Sequence, residues 1–123
     1  MERMGEKGLE VIIGARNDPQ WGPVLLIGAG GVLAEAMGDT RLLPPDLCRD
    51  SIASELRKLR CGVLFAGFRG APPLDIEAVA EIVSKVGRLM QSAPNIVEID
   101  INPVVVFAHG RGAVALDALI SFG

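Results

Sequence analysis

The apolar residues of this chain form short runs of two kinds, and the two kinds predict strands and helices. Alternating or continuous apolar runs of about four to eight residues are typical of strands, whereas apolar residues spaced three and four apart are typical of amphipathic helices. The strand pattern is found at residues 8–15, 24–27, 40–43, 63–66, 98–107 and 113–116, and residues 32–37 are either extended or a short helix.

The helical pattern occurs twice. The first predicted helix has Asp46 as its N-cap and is stopped by Gly62, while the second has Asp75 as its N-cap and ends at about Ser92, before Pro94. The apolar stripes consist of Ile52, Ala53, Leu56 and Leu59 in the first helix, and of Val79, Ile82, Val83, Val86, Leu89 and Met90 in the second.

The order of these segments predicts the fold class. Strands come first, then a helix, a strand, a helix and two further strands, which is not the alternation of a parallel α/β sheet. The first two strands can pair as a long hairpin across residues 16–22. We therefore expect an α+β fold, with a mostly antiparallel sheet and two helices packed on one face. No repeat or linker interrupts the chain, so residues 1–123 are predicted to form a single domain.

Composition narrows the classes of function. The chain has 123 residues, of which 50% are hydrophobic, yet no apolar run approaches the roughly 18 to 20 residues of a membrane span. The net charge is −3 without a basic stripe, so neither a membrane nor nucleic acid is an expected partner. The first residues lack a secretory signal, and Cys48 and Cys61 show no Cys-x-x-Cys spacing. We therefore expect a cytoplasmic protein with reduced thiols.

Candidate chemistry is concentrated near the C-terminus, where polar residues alternate with apolar ones. Because successive side chains of a strand point to opposite faces, Glu98, Asp100 and Asn102 share one face. If residues 109–110 form a two-residue turn, Asn102 pairs with Asp117, and the paired side chains lie on one side about 5 Å apart. Two carboxylates and an amide oxygen then converge, and such hard oxygen ligands suit Mg²⁺.

The same alternation predicts which side chains of this hairpin face the core. The polar residues on the other face also have an explanation that involves no metal. Asp and Asn at strand ends commonly serve turns and solvated edges, and Asn-Pro often starts a turn. A longer turn would also move Asp117 away from Asn102. The residues expected on the core face are Ile99, Ile101, Val105, Phe107, Val114, Leu116 and Ile120.

Several other polar or glycine-rich positions have two explanations each. Residues 28–31 (GAGG) follow a strand but lack the spacing of a phosphate-binding loop, so these glycines can instead allow close approach to a ligand or a partner strand. Arg69 can bind a phosphate or a carboxylate, or simply lie exposed. Glu35 is interpreted as a solvated charge and His109 as a solvated turn residue. Glu10, within an apolar strand, suggests a polar partner such as a hydroxyl-rich ligand.

Four separated segments together resemble a known family. They are residues 9–23 (LEVIIGARNDPQWGP), 28–35 (GAGGVLAE), 67–72 (GFRGAP) and 98–103 (EIDINP), followed by Asp117. In this order they resemble the C-terminal lobe of the ATP-grasp region in NDP-forming acyl-CoA synthetases of the acetate–CoA ligase (ADP-forming) type, which is related to the succinyl-CoA synthetase β subunit. The likeness covers nearly the whole chain.

The resemblance implies roles for matching residues. Asn102 and Asp117 match family positions that bind Mg²⁺, and Asp100 belongs to the same site. Glu2 resembles the hinge that passes over the adenine, and Glu10 resembles the Glu that contacts ribose hydroxyls. The implied cofactors are therefore Mg²⁺ and ATP or ADP.

The resemblance also implies a reaction and a set of partners. In the family, an acyl-CoA, phosphate and ADP give the carboxylic acid, CoA and ATP through a phosphohistidine on another domain, which His109 does not match. The expected partners are the nucleotide, the other ATP-grasp lobe, the CoA-binding domain and the phosphohistidine domain. We expect this chain to be a fragment of such an acid–thiol ligase and to be inactive alone.

Two alternatives remain open from the sequence. Synthetase-like regions fused to acetyltransferases serve as non-catalytic regulatory or assembly modules, and the chain is a candidate for that role. The apolar surface of such a lobe is also compatible with a homo-oligomer. The sequence determines neither the acyl substrate nor the choice between ADP and GDP.

Overall fold

The computed structural model describes residues 9–30, 38–67, 70 and 72–123. Residues 32–37, together with Glu2, Glu35 and Arg69, lie outside this part of the chain, so their predicted roles are not addressed by it. In chain order the elements are β1 (Leu9–Asp18), β2 (Gly22–Ala29), β3 (Thr40–Leu43), α1 (Arg49–Arg57), a 3-10 helix (Arg60–Ala66), α2 (Ile76–Ser92), β4 (Ile96–Val106), β5 (Ala113–Ala115) and β6 (Ala118–Phe122).

The described strands form one sheet, and every pairing in it is antiparallel. Five of the six strands follow the order β3-β2-β1-β4-β5. The sixth strand, β6, pairs with β4 on the same side as β5. The longest strand, β4, therefore pairs with β1 along one side and with β5 and β6 along the other. The predicted α+β class and the antiparallel sheet are confirmed.

The helices pack on one face of this sheet, as predicted. Helix α2 crosses β1, β2 and β4, and α1 packs against α2. Arg41 on β3 joins the sheet to α1 through a 2.6 Å contact from its Nε to Glu55 Oε1, which lowers the pKa of that carboxyl. No helix among the described residues is long and apolar enough to cross a membrane. The most deeply buried core side chains are Val11, Ile13, Leu25, Ile27, Ile52, Leu56, Val79, Val83, Met90, Val104 and Val106.

The first hairpin is longer than the sequence pattern indicates. β1 continues through Asp18, which pairs with Gly22, so the connection consists of residues 19–21 rather than the predicted 16–22. The Asp18 carboxylate accepts the backbone N–H groups of Gln20 and Trp21 at 2.8 and 3.0 Å. These hydrogen bonds lower the pKa of Asp18 and hold the turn in place.

The predicted strand at residues 63–66 is wrong, because this segment belongs to the 3-10 helix. The carboxylate of Asp39 accepts the N–H groups of Arg60 and Cys61 at 2.6 and 3.0 Å, which holds the first turn of that helix. Val63 is 55% exposed rather than buried. The apolar run has the length of a strand, but buried hydrogen bonds at its start decide its conformation.

The predicted start and end of the first helix are also wrong. Cys48 is the N-cap of α1, with extended backbone angles and its carbonyl accepting from Ile52 N at 3.0 Å, so the helix starts after Asp46. It ends at Arg57, before Gly62. The bounds of α2 are close to those predicted, and Asp75 caps it by accepting Ala78 N–H at 3.3 Å.

Candidate functional site

The sheet face opposite the helices, here called the open face, carries the polar residues of β4. Glu98, Asp100 and Asn102 are exposed, whereas Ile99 and Ile101 between them are buried. This alternation is the predicted one, since a strand with one covered face buries every second side chain. The open face is therefore where a ligand can meet three polar groups of one strand.

The hairpin after β4 brings Asp117 opposite Asn102, as predicted from a two-residue turn. The turn is closed by a 2.8 Å hydrogen bond from Arg111 N to Ala108 O, with His109 and Gly110 at its exposed tip. Further along, Asn102 N donates to Asp117 O at 3.1 Å. Because β4 also pairs Asp100 with Leu119, the register places the side chain of Asp117 on the open face.

The predicted core face of β4 is wrong beyond Asn102. Val104 and Val106 are fully buried, whereas Val105 and Phe107 are only partly buried. The pairing with β1 changes register between Ile13↔Ile101 and Val11↔Val104, so β4 holds one residue more than β1 there. Such a bulge reverses which side chains face the core, and it accounts for the change.

The predicted core positions on the returning strands are also wrong. Val114, Leu116 and Ile120 are 48%, 63% and 45% exposed. The reason is their place in the sheet: β5 and β6 lie beyond β4, past the strands that α2 covers. An apolar pattern shows which side chains of a strand share a face, but it does not show whether another element covers that face.

Strand β1 adds three positions to the open face beside the polar residues of β4. Gly14 pairs with Asp100, so no side chain stands next to that carboxylate on this side. Arg16 pairs with Glu98, and both are exposed. Glu10 is exposed four residues before Gly14, which is about 13 Å along an extended strand.

A shallow cavity of about 230 Å³ opens on this face. Its walls combine apolar side chains of β2 and β3 with the charged groups of β1 and β4, among them Asp100. Asn102, Asp117 and Glu10 lie outside it. The lining residues are Gly14, Ala15, Arg16, Val24, Leu26, Leu42, Glu98, Ile99 and Asp100.

The described glycines of the segment 28–31 serve strand contacts. A Cβ on Gly28 would lie 2.7 Å from Thr40 Cγ2 and 2.8 Å from the Asp39 carbonyl oxygen. Gly30 donates its N–H to Glu10 O at 2.8 Å, and a Cβ there would lie 3.1 Å from the Glu10 backbone. Of the two explanations offered above, close approach to a partner strand is the one observed for these two residues.

The donor set fits a hard divalent cation. Asp100, Asn102 and Asp117 are exposed and share the open face on two neighbouring segments of a hairpin. Carboxylate and amide oxygens are the ligands that Mg²⁺ takes, and Mg²⁺ usually keeps several waters or phosphate oxygens as well. The described residues contain no group of three His, Cys, Asp or Glu side chains placed for a metal, so this candidate depends on the Asn102 amide.

Two buried carboxylates make long-range contacts that the sequence did not indicate, and one of them, Asp75, contacts the hairpin of the candidate site. Asp39 and Asp75 are 7% and 8% exposed, and each accepts backbone N–H groups from a distant segment. Asp75 was predicted as an N-cap, which is confirmed, but its contacts with the hairpin were not. Such long-range hydrogen bonds leave no periodic signal in a sequence.

Comparison with known proteins identifies the family. The profile of the ATP-grasp domain matches residues 1–122. This chain belongs to the ATP-grasp family. The ATP-grasp chain is 47% identical over 120 residues to a trans-feruloyl-CoA synthase from an unknown prokaryotic organism, covering 98% of this chain and 17% of that protein. It is 40% identical over 116 residues to the acetate–CoA ligase (ADP-forming) I subunit beta of Pyrococcus furiosus, covering 94% and 49%.

Solved structures of similar proteins have the same fold. One is the dinucleotide-forming acetyl-coenzyme A synthetase 1 of Ca. Korarchaeum cryptofilum in complex with coenzyme A and Mg-AMPPCP, with a TM-score of 0.86 and 34% identity. That match covers 94% of this chain and 54% of the other. The apo form gives a TM-score of 0.86 at 33% identity over 98% and 57% of the two chains. The ATP-grasp chain thus spans about half the length of the Pyrococcus subunit and less than a fifth of the feruloyl-CoA synthase.

Proposed function

We propose that residues 1–123 form a single domain, the nucleotide- and magnesium-binding lobe of a cytoplasmic ADP-forming acyl-CoA synthetase. Support comes from the similarity to ADP-forming acid–CoA ligases and from the polar hairpin on the open face. The reaction is acyl-CoA, phosphate and ADP giving carboxylic acid, CoA and ATP. Its other parts are the second ATP-grasp lobe, a CoA-binding domain and a phosphohistidine domain, without which this lobe is inactive.

The single observation that carries the proposal is the cross-strand placement of Asn102 and Asp117, with Asp100 on the same face. These three side chains would hold Mg²⁺. Bound Mg²⁺ neutralises phosphate charge and aligns the phosphates for in-line transfer. The protein contributes a fixed hairpin that keeps three oxygen donors on one side, so little reorganisation is needed when nucleotide arrives.

Glu10 would bind the ribose. Its side chain is exposed on the open face, and its backbone carbonyl is held by Gly30 N at 2.8 Å. The separation of about 13 Å along β1 from Gly14, the partner of Asp100, is one that an extended nucleotide can bridge. The resemblance to the family also assigns Glu2 to the adenine-binding hinge of this nucleotide site.

The phosphohistidine segment would approach the same face from another domain. The Korarchaeum structure is described with Mg-AMPPCP and a phosphohistidine segment pointing towards its nucleotide-binding site. We do not favour a regulatory module fused to an acetyltransferase, because the similar proteins are acid–CoA ligases and a CoA synthase.

Titration of the chain with Mg·ADP, followed by NMR, tests the proposal. Asp117→Asn keeps the shape of the side chain but removes its charge, so we expect Mg·ADP affinity to fall about tenfold or more, the equivalent of about 1.4 kcal/mol. Glu98→Gln is the matched control, since it removes one charge from the same face outside the proposed ligand set. The expected control effect is less than about twofold. Equal affinities of Asp117→Asn and wild type would refute the metal assignment.

A further inference from the structure

The buried carboxylate of Asp75 links two elements that are distant in sequence. Its Oδ1 accepts the N–H of Ala78 at 3.3 Å, in the first turn of α2. Its Oδ2 accepts the N–H groups of Gly110 and Gly112 at 3.1 and 2.8 Å, at the tip of the C-terminal hairpin. A single side chain thus caps a helix and binds one glycine in the hairpin turn and one directly after it.

Backbone hydrogen bonds reinforce this link. Asp75 N donates to Phe107 O at 2.8 Å, and His109 N donates to Pro73 O at 2.9 Å. Leu74 and Ala108 form an isolated antiparallel bridge between these bonds. The short segment before α2 therefore acts as a strand that supports one side of the hairpin tip.

The hairpin needs such support because packing does not determine its register. Strand register is strongly specified where one face is buried and weakly specified where both faces are solvated. Every residue of β6 is exposed, and β5 has only one partly buried residue. The turn must then determine how the returning strand pairs with β4.

A change of turn length would have a direct effect on the candidate metal site. If the returning strand slipped by one residue, Asp117 would move to the opposite face from Asn102. Gly110 and Gly112 have positive φ of 86° and 84°, and both donate to Asp75, so the carboxylate binds the conformation that gives the two-residue turn.

We propose that Asp75 is a positioning residue for magnesium binding: by holding the hairpin turn it keeps Asp117 opposite Asn102. The effect on metal binding rests on the proposed function, whereas the contact of Asp75 with the hairpin does not. Asp75 touches neither metal nor nucleotide in this role. Its effect passes through the register of two strands.

The test compares Asp75→Asn with Asp39→Asn. Asn offers one acceptor oxygen in place of two, so the carboxamide cannot both cap α2 and accept from the hairpin glycines. Asp39 is the matched control, because it is equally buried and accepts two backbone N–H groups, but it holds the 3-10 helix instead. Both variants are expected to lower the urea midpoint, so loss of stability alone does not distinguish them.

Amide hydrogen exchange without ligand separates the two roles. The N–H groups of Asn102 and Leu116, which bond to Asp117 O and Pro103 O, report the register. In Asp75→Asn we expect them to exchange at least about tenfold faster relative to the amides between β1 and β2, while Asp39→Asn keeps the wild-type ratio. Because the carboxamide oxygen can stay on the hairpin glycines and give up the helix cap instead, an unchanged ratio overturns the proposal when Asp75→Ser, described next, gives the same result.

A second variant keeps the test valid if Asp75→Asn does not fold. Asp75→Ser retains a good N-cap for α2, but its hydroxyl is too short to reach the hairpin glycines. The same increase in exchange at Asn102 and Leu116 is expected, and an unchanged ratio again overturns the proposal.

Mg·ADP titration of the same variants completes the test. Weaker binding in Asp75→Asn, with Asp39→Asn unchanged, supports positioning of the metal site. If Asp117→Asn weakens binding and neither Asp75→Asn nor Asp75→Ser does, the positioning role is overturned. If Asp117→Asn binds like wild type, the proposed function fails, and the exchange result still decides whether Asp75 holds the hairpin.

Discussion

The two thiols lie in opposite surroundings. Cys48 is exposed, and its Sγ hydrogen-bonds to Ser51 Oγ at 3.4 Å, which lowers the pKa of the thiol. Burial, reinforced by the carboxylate of Asp39, raises the pKa of Cys61 to about 11. Reactivity follows the thiolate fraction and access, so the two cysteines are expected to react very differently.

Labelling with a disulfide reagent at pH 8 is therefore expected to modify Cys48 first. At that pH only about one Cys61 thiol in a thousand is ionised in the folded chain. Cys48→Ser should remove the fast phase, and Cys61→Ser should leave it unchanged. A fast phase that survives in Cys48→Ser would contradict the prediction.

The same pKa predicts how stability responds to alkaline pH. Burial raises the pKa of the Cys61 thiol from its ordinary value of 9.0, which applies to the unfolded chain, to about 11 in the folded chain. Between these values the unfolded chain binds fewer protons, so stability is full below pH 9 and declines as pH rises towards 11. Urea unfolding of wild type and Cys61→Ala at pH 8 and 10 checks this, with the steeper decline expected in wild type.

At single residues, the sequence predicted the exposure and pairing of Asp100, Asn102 and Asp117 better than the burial of their apolar neighbours, and their role as metal ligands stays a prediction. The spacing of Asp100, Asn102 and Asp117 needed only strand alternation and a two-residue turn, and both are present. Val104 and Val105 are identical side chains, so the pattern could not indicate which one is buried after the bulge. That choice is made by the pairing with β1.

Among the elements, α2 shows how closely a helix can approach a loop. Gly87 lies on its buried side, and a Cβ there would clash with the Pro45 carbonyl oxygen and lie 3.3 Å from Leu25 Cδ1. The missing side chain thus lets the segment between β3 and α1 cross the helix. The cost is a residue with poor helix propensity in the middle of a long helix.

Gly87→Ala is expected to destabilise the fold despite that propensity. Ala gains about 1 kcal/mol over Gly in a helix interior, but overpacking a closely packed site costs about 1 to 3 kcal/mol. We expect a net loss of about 1 kcal/mol or more in the free energy of unfolding, measured with urea. Arg88→Ala, at the exposed neighbouring position, should change it by less than about 0.5 kcal/mol. A more stable Gly87→Ala variant would show that the segment at Pro45 moves aside.

Elements with a long periodic stripe and a cap were predictable, and short ones were not. α2 matched its predicted bounds because Asp75 caps it and five of its six predicted apolar positions pack in or against the core, whereas the sixth, Leu89, is 40% exposed. α1 begins two residues later than predicted from Asp46, and residues 63–66 form a 3-10 helix. For the 3-10 helix the outcome depends on the Asp39 carboxylate, which lies about 20 residues earlier in the chain.

For the whole molecule, the edge formed by β6 matters because every residue of that strand is exposed. Leu119 and Phe122 are 68% and 64% exposed, and the outer side of β6 has no strand beside it among the described residues. Apolar edge strands are sites of association between chains. The chain is therefore expected to associate in a concentration-dependent manner.

Light scattering after gel filtration tests this expectation. Leu119→Lys places a charge on the β6 edge and should increase the monomer fraction at a given concentration. Val63→Lys is the control, since Val63 is 55% exposed on the helical side of the sheet. Association of Leu119→Lys equal to that of wild type would show that the edge is not the contact.

The bulge in β4 also limits which insertions and deletions this domain can tolerate. The strand carries Asp100 and Asn102 before the bulge and the buried Val104 and Val106 after it. Pro103 is the one residue between Asn102 and Val104. Its removal would either turn Asp100 and Asn102 towards the core or turn Val104 and Val106 towards solvent. Homologous chains should therefore keep the length of this strand constant, while residues 19–21 can vary in number, because that exposed turn fixes no buried side chain.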